Sequence, residues 1–210
     1  MISDKKKFIH VHLVKTAGSS RNEVLQPYFN LDAETQPDIS TLLSIMNNVI
    51  YDNPKYKNYF KFTFVRNPFD MIVSWWVERI CMMQRERLVG GPSYCRDKTP
   101  EFFKQYIMAV KNYEIMYLPE VLTNQLSFIT KNQSCKGPLL VDYVGRFENL
   151  KEDWIYITKK LDIPSTLPHI RKSQHKHYSF YYDDETLEMV TTIFEKDLNY
   201  FGYEFKREEL

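Results

Sequence analysis

Glycine is scarce in this chain, with six residues in 210. No GxxxxGK[ST] run and no GxGxxG run occurs, which excludes an ATP-type Walker loop and a dinucleotide fingerprint. There is no GxSxG nucleophile elbow either. Cysteine is rarer still: Cys81, Cys95 and Cys135 lie far apart, with no CxxC or Cys/His spacing. That odd, scattered set argues against a disulfide scaffold or zinc site and for a reducing compartment. Net charge is only +1, so no global field draws nucleic acid or an anionic membrane. No apolar run approaches the roughly 18 residues of a membrane span. Residues 1–7 are polar and the next apolar run is broken by His10, His12 and Lys15, so no secretory leader is expected. The expectation is a soluble, cytoplasmic chain.

What the chain has in quantity is apolar and aromatic bulk: 43% hydrophobic residues, with 15 Tyr and 14 Phe. This suffices for one domain with a substantial core. The pattern reads as a single α/β domain over 1–210 with a mostly parallel central sheet. Strands are expected at 7–14, 61–65 and 139–147. Helices are expected from Ser19 to Tyr28, near 39–50, from Pro68 to about Arg87, at 100–113, at 118–130 and at 184–199. Asn67 suits an N-cap, with Pro68 at the first helical position and Asp70 at the positive end. Asn149 with Glu152 has the spacing of a capping box. Gly202 suits a helix stop. The long segment 162–182 reads as a functional loop.

The segment Phe8-Ile-His-Val-His-Leu-Val-Lys-Thr-Ala-Gly-Ser-Ser20 runs from a strand into a loop and a helix start. A cation (Lys15), a small hinge (Ala17, Gly18) and three hydroxyls (Thr16, Ser19, Ser20) meet the N–H groups of a helix N-terminus. Together they suit an oxyanion such as phosphate or sulfate. The strand ending at Arg66 is expected to lie parallel to the first, which brings Lys15 and Arg66 to one sheet edge, where α/β folds bind ligands. Ser74 follows Arg66 by eight residues, about two helical turns. Two anionic poles on one ligand fit this pair of anchors. Singly, each has a plain structural reading: a solvated Lys-Thr turn, an arginine capping a helix, a packed serine.

These residues resemble a known family. The loop 12–20 resembles the 5′-phosphosulfate loop of sulfotransferases that use 3′-phosphoadenosine 5′-phosphosulfate (PAPS). Phe62-Thr-Phe-Val-Arg-Asn-Pro-Phe-Asp-Met-Ile-Val-Ser74 resembles their 3′-phosphate motif. Val144-Gly-Arg-Phe-Glu-Asn-Leu150 and the tail 194–205 resemble later blocks of the carbohydrate-type branch. The sequence departs from the family pattern at Val14 (usually Pro), Ala17 (often Gly) and Ser19 (often Thr). The resemblance implies a three-layer, P-loop-NTPase-like fold, PAPS as donor, no metal, and an acceptor hydroxyl on a carbohydrate or small polar metabolite. It implies Lys15 at the bridging oxygen. It puts Thr16, Ala17, Gly18, Ser19 and Ser20 around the 5′-phosphate, through backbone N–H groups and hydroxyls. Arg66 and Ser74 would hold the 3′-phosphate, and Arg171, Lys172 and Ser173 would form a closing basic loop.

Sulfuryl transfer resembles phosphoryl transfer in its loose, in-line transition state, so charge at the leaving oxygen dominates. Lys15 is the residue chosen for that role. The acceptor needs a base. His12 is the candidate nearest the loop, and it shares a strand face with His10 while Val11 and Leu13 line the other. Glu34, His169, His175 and His177 are further candidates. Trp75 and Trp76 are read as core residues or an adenine wall. Tyr178, Tyr181 and Tyr182 either stack on a sugar or cover the sheet. Two other functions remain open at this point: a diverged nucleotide-dependent kinase, and a non-catalytic nucleotide-binding module.

Overall fold

The computed structural model describes residues 1–30, 53–85, 97–111, 123–168, 170 and 175–208. The helix expected near 39–50, the first half of the one expected at 118–130, Glu34, His169 and Arg171-Lys172-Ser173 lie outside these residues. The chain packs as two compact units. The first is Met1–Arg66 with Gln125–Arg171, and the second is Asn67–Asn124 with Lys172–Leu210.

The first unit is built on a four-stranded sheet in the order β1-β2-β3-β4. Its strands are β1 (Ile2–Ser3), β2 (Phe8–Val11), β3 (Phe60–Val65) and β4 (Tyr143–Arg146). β1 is an antiparallel edge strand, and β2, β3 and β4 run parallel. Every residue of β2 is buried, and in β3 only Lys61 is partly exposed. Near-continuous apolar runs of this kind are what parallel strands require, because both faces are covered. The register pairs His10 with Phe62 and Val65 with Arg146, and the Thr63 hydroxyl donates to the Val11 carbonyl at 2.7 Å.

Helices α1 (Gly18–Leu25) and, after two helices in the other unit, Leu150–Leu161 complete this core. Leu25, Trp154, Ile157 and Leu161 pack against Phe8, Phe60, Phe62 and Phe64. Gly145 is required by close approach: a Cβ there would meet the Phe64 ring at 2.6 Å.

The second unit is helical. It contains α2 (Pro68–Arg85), α3 (Pro100–Lys111), α5 (Asp184–Ile193) and α6 (Glu195–Phe201), with Leu150–Leu161 of the sheet unit as α4 in chain order. Asn67 starts α2, with its Oδ1 accepting from the Phe69 N–H at 3.1 Å. The core here is aromatic: Trp76 meets Phe103 and Tyr181 at 5.3 and 5.5 Å between ring centres.

Several expectations are corrected. Residues 125–129 form a 3-10 helix rather than the end of an α-helix. The strand expected at 139–147 is limited to Tyr143–Arg146, and Leu139 makes only an isolated bridge to Thr130. Asn149 makes no side-chain cap; a 3-10 turn, Phe147–Asn149, leads into α4, with the Leu150 N–H bonded to the Phe147 carbonyl. Asp153 closes that helix start instead, accepting from the Arg146 N–H at 2.6 Å and the Tyr143 hydroxyl at 2.7 Å. The last helix is interrupted at Phe194, and its start is a capping box between Asp183 and Thr186. Gly202 ends α6 in the left-handed conformation, with φ 66°, as its position suggested.

Candidate active site

The loop after β2 is bent by two non-glycine residues in the left-handed region, Lys15 at φ 59° and Ala17 at φ 61°. Each such residue costs roughly 1 kcal/mol, so the surroundings must hold it in place. Thr16, fully buried between them, supplies the hold. Its hydroxyl donates to the Leu13 carbonyl at 2.8 Å and accepts from Arg21 Nη2 at 2.9 Å. Arg21 Nη1 donates to the Thr16 carbonyl as well. The Thr16 hydroxyl is thus engaged with the protein itself, between the Leu13 carbonyl and Arg21.

Ala17 is the N-cap of α1 and offers no side-chain acceptor. The first helical bond runs from the Arg21 N–H to the Ala17 carbonyl at 3.3 Å. The N–H groups of Gly18, Ser19 and Ser20 thus have no acceptor within the helix, and the first turn carries no acidic residue. An open helix N-terminus of this kind is a positive pole suited to an anion. Ser19 is exposed, while Ser20 is 5% exposed and its Oγ accepts from the Ile170 N–H at 3.2 Å. That bond anchors the chain to the loop one residue before Arg171.

Arg66 leaves β3 at the same edge. Its backbone is fixed by a reciprocal pair: its N–H donates to Gln125 Oε1 at 2.9 Å, and Gln125 Nε2 donates to its carbonyl at 2.8 Å. Its guanidinium lies over the Phe147 ring at 3.9 Å and donates from Nη1 to the Lys15 carbonyl at 2.8 Å. The parallel register thus brings the two anchors into direct contact. Ser74 lies in α2 of the helical unit and is 1% exposed.

His10 and His12 share one side of the first strand segment, with ring centres 6.0 Å apart. His10 is fully buried and stacked on Phe62 at 4.9 Å, and neither of its ring nitrogens has a hydrogen-bond partner among the described residues. Burial, reinforced by Arg21, holds its pKa well below the usual imidazole value. The same causes bring His12 down to about 4. His12 packs directly on the loop: a Cβ on Gly18 would fall 1.8 Å from its Nε2. Arg21 has no exposed surface and no carboxylate partner among the described residues. Its guanidinium lies 4.2 Å from the centre of the Phe64 ring, and desolvation lowers its pKa to about 9, which leaves it charged at pH 7.

A sequence model of the sulfotransferase family matches residues 1–204. The chain belongs to the sulfotransferase family. The match runs through both compact units. No curated protein and no solved structure gives a significant match to the chain.

For this sulfotransferase-family chain, sequence reasoning missed Arg21, Gln125 and Phe147. Arg21 reads as an ordinary helix cation until its burial is seen. The only signal was its place, directly after the two serines and five residues past Thr16. His175 and His177 have local structural uses. His177 Nδ1 accepts from the Ser179 N–H at 3.3 Å, and His175 Nδ1 donates to the Lys176 carbonyl at 2.7 Å. Trp76 is buried in the helical unit, which fits the core reading for it, and Tyr178 and Tyr181 are buried in the same unit.

Proposed function

We propose that the protein transfers a sulfuryl group from PAPS to an acceptor hydroxyl on a carbohydrate or small polar metabolite. In this reading residues 1–210 form one sulfotransferase-like domain of the P-loop-like, three-layer type. The observation that carries it is the loop after β2: two left-handed residues deliver the chain to an uncapped helix start, and Arg66 grips the carbonyl of the loop lysine.

The donor's 5′-phosphate is assigned to the N–H groups of Ala17, Gly18, Ser19 and Ser20, with the exposed Ser19 hydroxyl alongside. Lys15 is assigned to the bridging oxygen, where charge builds as the bond to sulfur breaks. A cation there favours the transition state over the ground state, and the leaving group, a stable phosphate, needs no metal. Arg66 and Ser74 are assigned to the 3′-phosphate, and Arg171, Lys172 and Ser173 to its closing loop. The bond from Ile170 to Ser20 supports that last assignment. His12 is the proposed proton acceptor. Burial keeps it neutral and therefore able to accept at pH 7, though weakly basic.

The test is thermal stabilisation by 3′,5′-bisphosphoadenosine (PAP) against ATP with magnesium, followed by labelled-sulfate transfer to a panel of hydroxyl acceptors. Binding to the native state raises the melting temperature by mass action. A shift with PAP and labelled product is expected. A shift with ATP and magnesium alone would assign the protein to the kinases. PAP binding with no transfer to any acceptor would make it a nucleotide-binding module.

A further inference from the structure

Arg21 is a charge placed where charge is expensive. It is fully buried, and no carboxylate among the described residues pairs with it. A leucine or methionine would fill the space without that desolvation cost. The position does need two diverging donors, and the arginine fork supplies them, to the carbonyl and to the hydroxyl of Thr16.

We propose that Arg21 is a positioning residue of the donor loop, which turns the Ala17 N–H toward the 5′-phosphate by holding Thr16 at two points. This rests on the reading of that loop as the donor's phosphate site. The peptide joining Thr16 and Ala17 is planar and trans, so its carbonyl and its N–H point in opposite directions. Arg21 fixes the carbonyl end, and the N–H end must then face away from Arg21. Arg66 acts on the preceding peptide in the same way through the Lys15 carbonyl. Two arginines thus set two consecutive peptide planes, flanked by the left-handed residues Lys15 and Ala17 that a free loop would not keep. Phe64 is the floor under the Arg21 guanidinium. The buried charge contributes a second effect: with no carboxylate partner among the described residues, it adds attraction for an anion held just above Thr16 in a poorly screened setting.

The experiment measures calorimetric affinities of the full chain for PAP, 5′-AMP and 3′-AMP. Arg21→Met should weaken PAP and 5′-AMP about 10- to 100-fold, and leave 3′-AMP at the wild-type value. A merely structural role would weaken all three ligands alike, and that result, or no weakening at all, would overturn the proposal. Arg21→Lys keeps the charge but not the fork, so a full return of affinity would overturn the two-point hold. If Arg21→Met does not fold, Thr16→Val removes the hydroxyl gripped by Nη2 and keeps Arg21. It should show the same selectivity for 5′-phosphate ligands, and equal affinity to wild type for all three would count against the proposal. Failure of the wild type to bind PAP would instead overturn the donor reading, and this inference with it.

Discussion

Arg66 Nη1 donates to the backbone carbonyl of Lys15 at 2.8 Å, joining residues 51 apart in sequence. The two anchors of the site are therefore mechanically one. A change at Arg66 should be felt at both phosphates of a donor. Arg66→Lys is not conservative here, because the planar group is stacked on Phe147 while it reaches the carbonyl. The expected outcome for Arg66→Met is loss of about 1–2 kcal/mol of stability, as the Lys15 carbonyl loses a charged donor. The preference for PAP over 5′-AMP should also collapse. Denaturant melts and the ratio of the two affinities check this, and an unchanged ratio would remove Arg66 from the 3′-phosphate.

Lys15→Ala should leave the fold and its melting temperature near wild type, since the side chain is only half-buried and the backbone is held by neighbours. Turnover with PAPS should fall about 100-fold or more, the usual scale for losing one group that stabilises charge at a reacting centre. PAP binding should fall much less. Turnover close to wild type would defeat the assignment of Lys15 to the leaving group.

Gly18→Ala tests the contact between helix and strand. The added methyl falls 1.8 Å from His12 Nε2, so the ring or the helix start must move. Overpacking of this kind costs roughly 1–3 kcal/mol. The expected result is a destabilised protein with weakened PAP binding, visible in melting curves and titration calorimetry. A variant that matches wild type in both would show that His12 yields freely.

The pH dependence of stability follows from His10, which is buried, and His12, which is partly buried. Their folded pKa values are depressed, so the unfolded chain binds more protons between the two values and stability rises with pH there. Stability should be complete above about 6.5, the unfolded histidine value, and be lost as pH falls through the window down to about 4 set by His12. His12 contributes up to about 3 kcal/mol over that window, and His10 acts in the same direction. Urea unfolding from pH 7.5 to 4 measures the slope. His10→Phe, which keeps the ring stacked on Phe62, should flatten it, and a slope identical to wild type would contradict the burial argument.

Much of the site was legible because strand ends and helix starts have local signatures. The apolar run 8–14, the hydroxyl-rich turn and the Asn67-Pro68 start each declare themselves within a few residues. The parallel pairing then puts Lys15 beside Arg66. Arg21 was not legible, because a cation between Ser20 and Asn22 looks like a solvated helix face. Only the packing of α1 over Phe64 makes it a buried strut. β1 was missed since Ile2 and Ser3 form a strand only through pairing with Ile9 and Phe8. Asn149 had the right spacing for a capping box, but spacing does not reveal the 3-10 turn, Phe147–Asn149, that leads into the helix.

Gly145 carries a consequence for how this protein tolerates change. Its missing side chain makes room for Phe64, and Phe64 is the ring on which Arg21 rests. A methyl at 145 would press on that ring from β4 and pass the displacement to a loop far from it in sequence. Positions 64 and 145 should therefore vary only as a compensating pair, a smaller ring site admitting a larger neighbour. A mutational scan confined to the loop would not find either of them.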